Sequence, residues 1–274
     1  PLHVGAGNSV GAIDQPIVRE RHTRFPVIPG TGLKGVMADL WPCDDGGRRG
    51  GDAIWLFGAE DATAASAGAL LIGEAKLLAF PVRSAKGGFA WITCPLALAR
   101  FKRDSSAALD LPAPLSSEEC LAAPEIALDG KVVLEEYCLT AKGESGLHAS
   151  LAGLCRDAVW GTLATRFAVV SDELFAYFAE HACETATHIR IDDAKGTVAK
   201  GALFNQENVP SETLFYAVVK AQAEKGKDTA GRRPPEAAVA ALTARLDEVG
   251  NVLQIGADAT TGLGWCSVTL QEVK

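Results

Sequence analysis

Near the end of the chain, Cys266, Val268 and Leu270 alternate with Trp265, Ser267 and Thr269. A period of two puts each set on one face, so residues 265–270 predict a half-buried strand. Strand-like runs also occupy residues 69–78, 89–93, 131–139, 186–191, 212–220 and 252–255. Between them the period changes. Ser171 precedes Asp172 and Glu173, and Leu174, Phe175 and Phe178 recur at helical spacing. This predicts a capped helix whose first-turn acids meet the positive end of the helix dipole. Residues 235–249 predict a second helix, stopped by Gly250. Residues 33–41 predict a third, fed by Pro29-Gly30-Thr31-Gly32, with Thr31 as N-cap and Lys34 in the first turn. Strands mixed with helices, without strict alternation, predict an α+β fold with an antiparallel sheet.

Three stretches break this pattern. Residues 43–52 are rich in glycine and charge and read as a mobile loop, within a connection spanning 43–67. Residues 102–163 open with serine, proline and alanine and end in a helical run at 153–163, so they read as a mostly helical insertion. Residues 192–210 carry the turn signal Ala194-Lys195-Gly196 between short extended runs, which predicts a projecting β-hairpin. Val198, Leu203 and Phe204 would be exposed on it, which favours a partner over a bare surface hairpin.

Length allows a substantial core in one elaborated domain or two small ones. The seven cysteines are scattered and none forms Cys-x-x-Cys, which argues against zinc and a disulfide framework and for cytoplasmic thiols. No apolar run approaches a membrane span and no signal peptide is visible. A net charge of −8 speaks against a general nucleic-acid binder. It leaves room for one local basic groove. Arg19, Arg21, Arg24 and Lys34 are offset mainly by Glu20, while the acid pairs Asp44-Asp45, Glu118-Glu119 and Glu135-Glu136 read as solubilising surface.

The first forty residues concentrate the chemistry. Gly5, Gly7 and Gly11 allow close backbone approach, although their spacing is not the dinucleotide fingerprint. A helix start after Gly30 and Thr31 offers free N–H groups to a phosphate. Arginines suit bidentate phosphate contacts, and charge alone does not separate that role from an ordinary strand edge. His22 has two readings, an acid or base near neutral pH and a plain hydrogen-bonding residue. Asp14, between Ile13 and Pro16-Ile17, is on its own account a turn-capping carboxylate.

Taken together, these segments resemble a known family. His3-Val4-Gly5-Ala6-Gly7 through Ile13-Asp14, Arg19-Glu20-Arg21-His22-Thr23 and Pro26-Val27-Ile28-Pro29-Gly30-Thr31-Gly32-Leu33-Lys34-Gly35 are similar to the RAMP superfamily signature. More narrowly, they resemble the repeated backbone subunit of type III-B CRISPR effector complexes. Leu56-Phe57-Gly58, Leu70-Leu71-Ile72-Gly73-Glu74-Ala75, Arg190-Ile191-Asp192-Asp193, Gly201-Ala202-Leu203-Phe204, Glu207, Pro210 and the glycine-rich run from Ile255 to Trp265 agree in order. Family members begin with a strand before the first glycine loop, so a leading strand is expected to be missing ahead of Pro1.

The resemblance implies a single RAMP domain over 1–274 with a ferredoxin-like, RRM-like palm. Residues 1–42, 68–101, 164–191 and 211–274 build the palm, and hairpin 192–210 is a thumb that wedges between bases of a guide–target duplex. It implies guide RNA, target RNA, further copies of the chain in a head-to-tail filament and other type III-B subunits as partners, with no membrane. Arg19, Arg21, Gly30, Thr31, Lys34, Arg190, Gly262 and Gly264 are then the expected RNA contacts. Asp14 is the expected cleavage residue, with His22 as a second candidate. Cleavage in this family uses the RNA 2′-hydroxyl and a divalent ion. A free aspartate titrates near ~3.9 and is a weak general base, so Asp14 is better cast as a ligand or positioner of hydrated Mg²⁺ or Mn²⁺. The alternatives are a non-catalytic guide-binding backbone and, from another class, a lone metal-dependent hydrolase or guide-processing nuclease acting as a monomer.

Overall fold

One strand organises the chain. The computed structural model describes residues 1–7, 12–43, 49–59, 66–192, 194–199, 202–225 and 231–272. Gly11, residues 44–48, Asp193 and Gly201, which figured in the sequence reading, lie outside them. After β1 (Val27–Ile28), α1 (Gly30–Ala38) and α2 (Gly51–Phe57) comes β2 (Leu70–Ser84), fifteen residues long. The helix α2 corrects the expectation of an irregular connection over 43–67. Ala53, Trp55, Leu56 and Phe57 are buried on it, an apolar cluster that the surrounding glycines obscured.

The strand β2 turns through Gly87 and Gly88, both at positive φ, into β3 (Gly88–Thr93), which leads to α3 (Pro95–Ser105). The segment read as a mostly helical insertion needs correction. It contributes β4 (Glu119–Ala122), β5 (Lys131–Leu134) and β6 (Tyr137–Ala141), and its helices are single turns, including α4 (His148–Leu151) and the start of α5 (Leu163–Arg166). The run 131–139 is therefore a hairpin rather than one strand, because Glu135 adopts a left-handed φ of 48°. Next come β7 (Phe167–Val169) and α6 (Asp172–His181). The Ser171 side chain accepts from the Leu174 N–H, the cap read from sequence.

The pairings make a mixed sheet, where the sequence pattern suggested an antiparallel one. Lys76 of β2 faces Val27 of β1 and also Tyr216 of β12 (Leu214–Ala221), so those strands occupy opposite edges. The second half of β2 pairs with β3, β3 runs parallel to β7, β7 pairs with β4, β4 runs parallel to β6, and β6 pairs with β5. β5 then meets β2 at Ser84–Leu134, with Ala85 N donating to Val133 O and Glu135 N to Arg83 O. These six strands close a small barrel.

Alternation divides the core. Ala90, Ile92 and Ala168 face an interior with Phe80, Val132, Leu134 and Leu139. Trp91, Phe167 and Val169 face the other way, toward Leu98, Leu151, Trp160 and Leu163. Both faces of β3 are covered, so it reads as continuously apolar. Trp91 and Trp160 meet edge to face at 5.1 Å.

The hairpin has a longer stem than 192–210. β8 (Glu184–His188) pairs with β11 (Phe204–Asn208), and β9 (Ile191–Asp192) with β10 (Thr197–Val198) beyond them. The Lys195 and Gly196 N–H groups close the tip turn on Asp192 O. Val198 and Leu203 are exposed as expected, joined by Ile189 and Ile191. Phe204 is half-buried and stacks on His188. The chain ends in α7 (Pro235–Glu248), β13 (Val252–Gln254) and β14 (Trp265–Ser267), shorter than the strand read at 265–270.

Asp104, at the end of α3, ties three elements. It accepts from Lys76 Nζ at 2.8 Å and from Tyr216 Oη at 3.0 Å. Burial alone would raise its carboxyl, but hydrogen bonds from Lys76, Arg103 and Tyr216 outweigh burial and hold it at about 2. Its stabilisation is therefore present above an unfolded value of about 3.9 and is lost as pH falls through the native value. Asp104→Asn is expected to cost about 1–2 kcal/mol near neutral pH by urea unfolding, and the gap from wild type is expected to narrow below about pH 4.

Candidate functional site

The strand β11 reads Phe-Asn-Gln-Glu-Asn, an unusual run of polar side chains for a buried position. Gln206, Glu207 and Asn208 are all buried. Along the edge of β11 away from β8 lie two other pieces of chain. Leu2 exchanges both backbone hydrogen bonds with Val209. Gln15 donates to Asn205 O at 3.0 Å and accepts from Glu207 N at 2.9 Å. This places Asp14 beside the strand, where its Oδ2 accepts from the Asn205 N–H at 2.9 Å. The carboxylate is exposed, and Oδ1 has no partner among the described residues.

Glu207 explains why the loop holds this course. One carboxylate oxygen accepts from the Ile17 N–H at 3.0 Å, the other from Arg19 at 2.5 Å, and the Glu207 carbonyl accepts from His3 Nδ1 at 2.6 Å. The Arg19 and Glu207 side chains are only 4% and 7% exposed. Arg19 also donates to Ala179 O at the end of α6, to Arg24 O and to Cys183 Sγ. Burial pushes the Cys183 thiol up to about 11, so it stays protonated at neutral pH. Arg19 is thus a structural cation, which corrects its assignment as an RNA contact: it is buried and both terminal nitrogens of its guanidinium donate inside the protein.

The remaining basic segment divides in the same way. Arg24 pairs with Glu180 at 3.0 Å. Arg21 is exposed on the turn and pairs with nothing among the described residues. His22 Nε2 accepts from Arg100 at 2.9 Å, and Arg100 also grips both oxygens of Glu20. His22 and Asp14 are not brought together by any contact.

The helix α1 begins three residues earlier than the 33–41 read from sequence and ends at Ala38. Pro29 is its N-cap, no side chain caps it, and Thr31 is its second residue, exposed. That corrects Thr31 as cap and moves Lys34 past the first turn. Gly30 is required there because a Cβ would stand 2.7 Å from Ile72 O. Lys34 opens onto a groove of about 500 Å³ between α1 and β12, lined by Leu71, Ile72, Gly73, Val218 and Lys220. Sequence reasoning missed Lys220, a lone lysine in a strand with no local signal.

Arg190, between β8 and β9, is exposed with only its backbone engaged among the described residues. The second glycine loop serves the fold. A Cβ on Gly264 would lie 2.0 Å from Ile255 O, and one on Gly256 would lie 2.2 Å from His3 O. Gly264 is buried and donates to Pro1 O, which corrects its assignment as an RNA contact. Gly262 is exposed at φ 88°.

A family model, the RAMP superfamily, matches residues 1–267. The chain belongs to the RAMP superfamily. Among its relatives, the CRISPR system Cmr endoribonuclease Cmr4 of Pyrococcus furiosus is 37% identical over 284 aligned residues, covering 100% of this chain and 93% of that one. The crystal structure of oligomeric Cmr4 from Pyrococcus furiosus superposes with a TM-score of 0.73 at 31% identity, covering 100% of this chain and 95% of that one. A chain of the type III-B Cmr-beta complex bound to cognate target RNA, seen by cryo-EM, shares the fold with a TM-score of 0.70 at 19% identity, over 96% and 91% of the two chains.

Arg19→Ala is expected to destabilise the chain by about 3–5 kcal/mol, because it strands the Glu207 carboxylate. Arg19→Lys is not expected to recover this, since one ammonium cannot replace the fork. Lys34→Ala is expected to stay within about 0.5 kcal/mol of wild type in the same chemical denaturation series.

Proposed function

We propose that this RAMP chain is the repeated, RNA-cleaving backbone subunit of a type III-B CRISPR effector complex, which holds a guide RNA and cuts the complementary target at regular intervals. The observation that carries this reading is the exposed Asp14 carboxylate, fixed through one oxygen to the base of a projecting hairpin. Likeness along the whole chain to a Cmr endoribonuclease supports the activity. An oligomeric relative supports stacking of copies, for which open head-to-tail contacts are the expected symmetry. The seven free thiols suit a reducing cytoplasm, and among the described residues no helix is long and apolar enough to cross a membrane.

In this reading guide phosphates follow Arg21, the uncapped start of α1 and the Lys34–Lys220 groove. Arg190 and the apolar thumb residues meet the guide–target duplex. Wedging there turns the target backbone so that a 2′-hydroxyl lies in line with the adjacent phosphorus, the geometry an intramolecular attack needs. The 2′-hydroxyl gives up its proton to solvent as its oxygen bonds to phosphorus. The bond from phosphorus to the 5′ oxygen breaks, that oxygen takes up a proton from solvent, and the products carry a 2′,3′-cyclic phosphate and a 5′-hydroxyl. Asp14 orients the reacting backbone.

Among the described residues, no three His, Cys, Asp or Glu side chains are grouped to hold an ion. A divalent cation such as Mg²⁺ or Mn²⁺ fits only through Asp14, with RNA oxygens and water completing its shell. When bound it supplies neutralisation of charge at the reacting phosphate.

In reconstituted complex, Asp14→Asn is expected to lose cleavage of labelled complementary RNA while keeping guide binding and assembly on a sizing column. EDTA is expected to silence the wild type. Normal cleavage by the variant would overturn the reading, and a wild-type complex with no regularly spaced products would favour a non-catalytic backbone. Lys34→Ala and Lys220→Ala should each weaken guide binding and reduce its salt slope by about one.

A further inference from the structure

We propose that Gln206, through Asp258, is a positioning residue for Asp14; the inference rests on the reading of Asp14 given above. Gln206 is 1% exposed, and its Nε2 donates to Asp258 Oδ2 at 2.6 Å. Asp258 opens the second glycine loop at a left-handed φ of 63°. That loop is anchored to the beginning of the chain, where Ala257 N donates to His3 O and Gly264 N to Pro1 O. The bond therefore ties β11 to a fixed part of the molecule.

The register of β11 gives the tie its meaning. Asn205 supplies the N–H that holds Asp14, Gln206 reaches the glycine loop, and Glu207 reaches Ile17 and Arg19. Adjacent side chains on a strand point to opposite faces. The strand is thus pinned on both faces immediately after the residue that holds Asp14. On its other side the same strand runs out toward the thumb. Without the Gln206–Asp258 bond, side-chain anchorage of the strand next to Asn205 comes from the Glu207 face only, the backbone pairing with Gln15 and β8 remaining, and displacement of the thumb passes more readily to the Asp14 carboxylate. Asp258 is exposed, so water can satisfy it when the bond is lost, which makes its removal mild for stability.

The test uses reconstituted complex under single-turnover conditions, with target affinity measured separately. Gln206→Leu removes the donor at similar volume. Asp258→Gly removes the acceptor at a surface position and keeps the left-handed backbone, so it decides the matter if the buried variant fails to fold. Each is expected to slow cleavage about tenfold with target affinity and assembly unchanged. The reversed pair, Gln206→Glu with Asp258→Asn, restores a donor and an acceptor and is expected to return within about threefold of wild type. Asp258→Gly at the wild-type rate, a matching loss of target affinity, or a reversed pair no better than Gln206→Glu alone would each overturn the proposal. Asp14→Asn is run alongside. If it is inactive while Asp258→Gly is fully active, only the positioning role fails; if it cleaves normally, the reading of Asp14 itself has failed.

Discussion

The buried pair of Arg19 and Glu207 is the constraint on which the rest of the site depends. Removing two opposite charges from water is costly unless every donor and acceptor is matched. Here the matching partners come from five places in the chain: Ile17, Arg24, the end of α6, Cys183 and β11 itself. Each partner fixes the position of its own segment. The loop carrying Asp14 runs along β11 because Glu207 takes the Ile17 N–H, and α6 abuts the same loop because Arg19 takes its terminal carbonyls.

This arrangement makes one strand serve two purposes. β11 belongs to the stem of the thumb, yet Val209 beyond it pairs with Leu2 and Gln15 pairs alongside it. The projecting hairpin and the carboxylate at its base share a backbone. Among the described residues, the position of the Asp14 carboxylate is set by a peptide N–H group rather than by a ring of acidic side chains.

Local chemistry was legible in the sequence where it is self-contained. The Ser171 cap, the apolar face of Leu174, Phe175 and Phe178, the turn at residues 194–196 and the stop at Gly250 all depend on near neighbours. Distant pairings were not. Glu135 breaks what reads as one strand, and β4, β5 and β6 are strands because they complete a ring with β2. The site divided along the same line. Arg19 and Arg21 are alike in sequence, and only the distant Glu207 decides that the first turns inward. Lys220 joins Lys34 only because β12 lies beside β2. The polar run from Asn205 to Asn208 was the available signal for the strand that holds Asp14, since such a run seldom sits in a core.

The closed barrel has a consequence for a protein expected to sit beside copies of itself. An open sheet presents a row of unpaired amide groups to any neighbour, and identical chains at high local concentration are the most dangerous neighbours. By returning β5 to β2, the segment inserted after α3 spends its own hydrogen bonds on itself. Among the described residues, the strands of that ring have partners on both sides and offer no template for strand exchange.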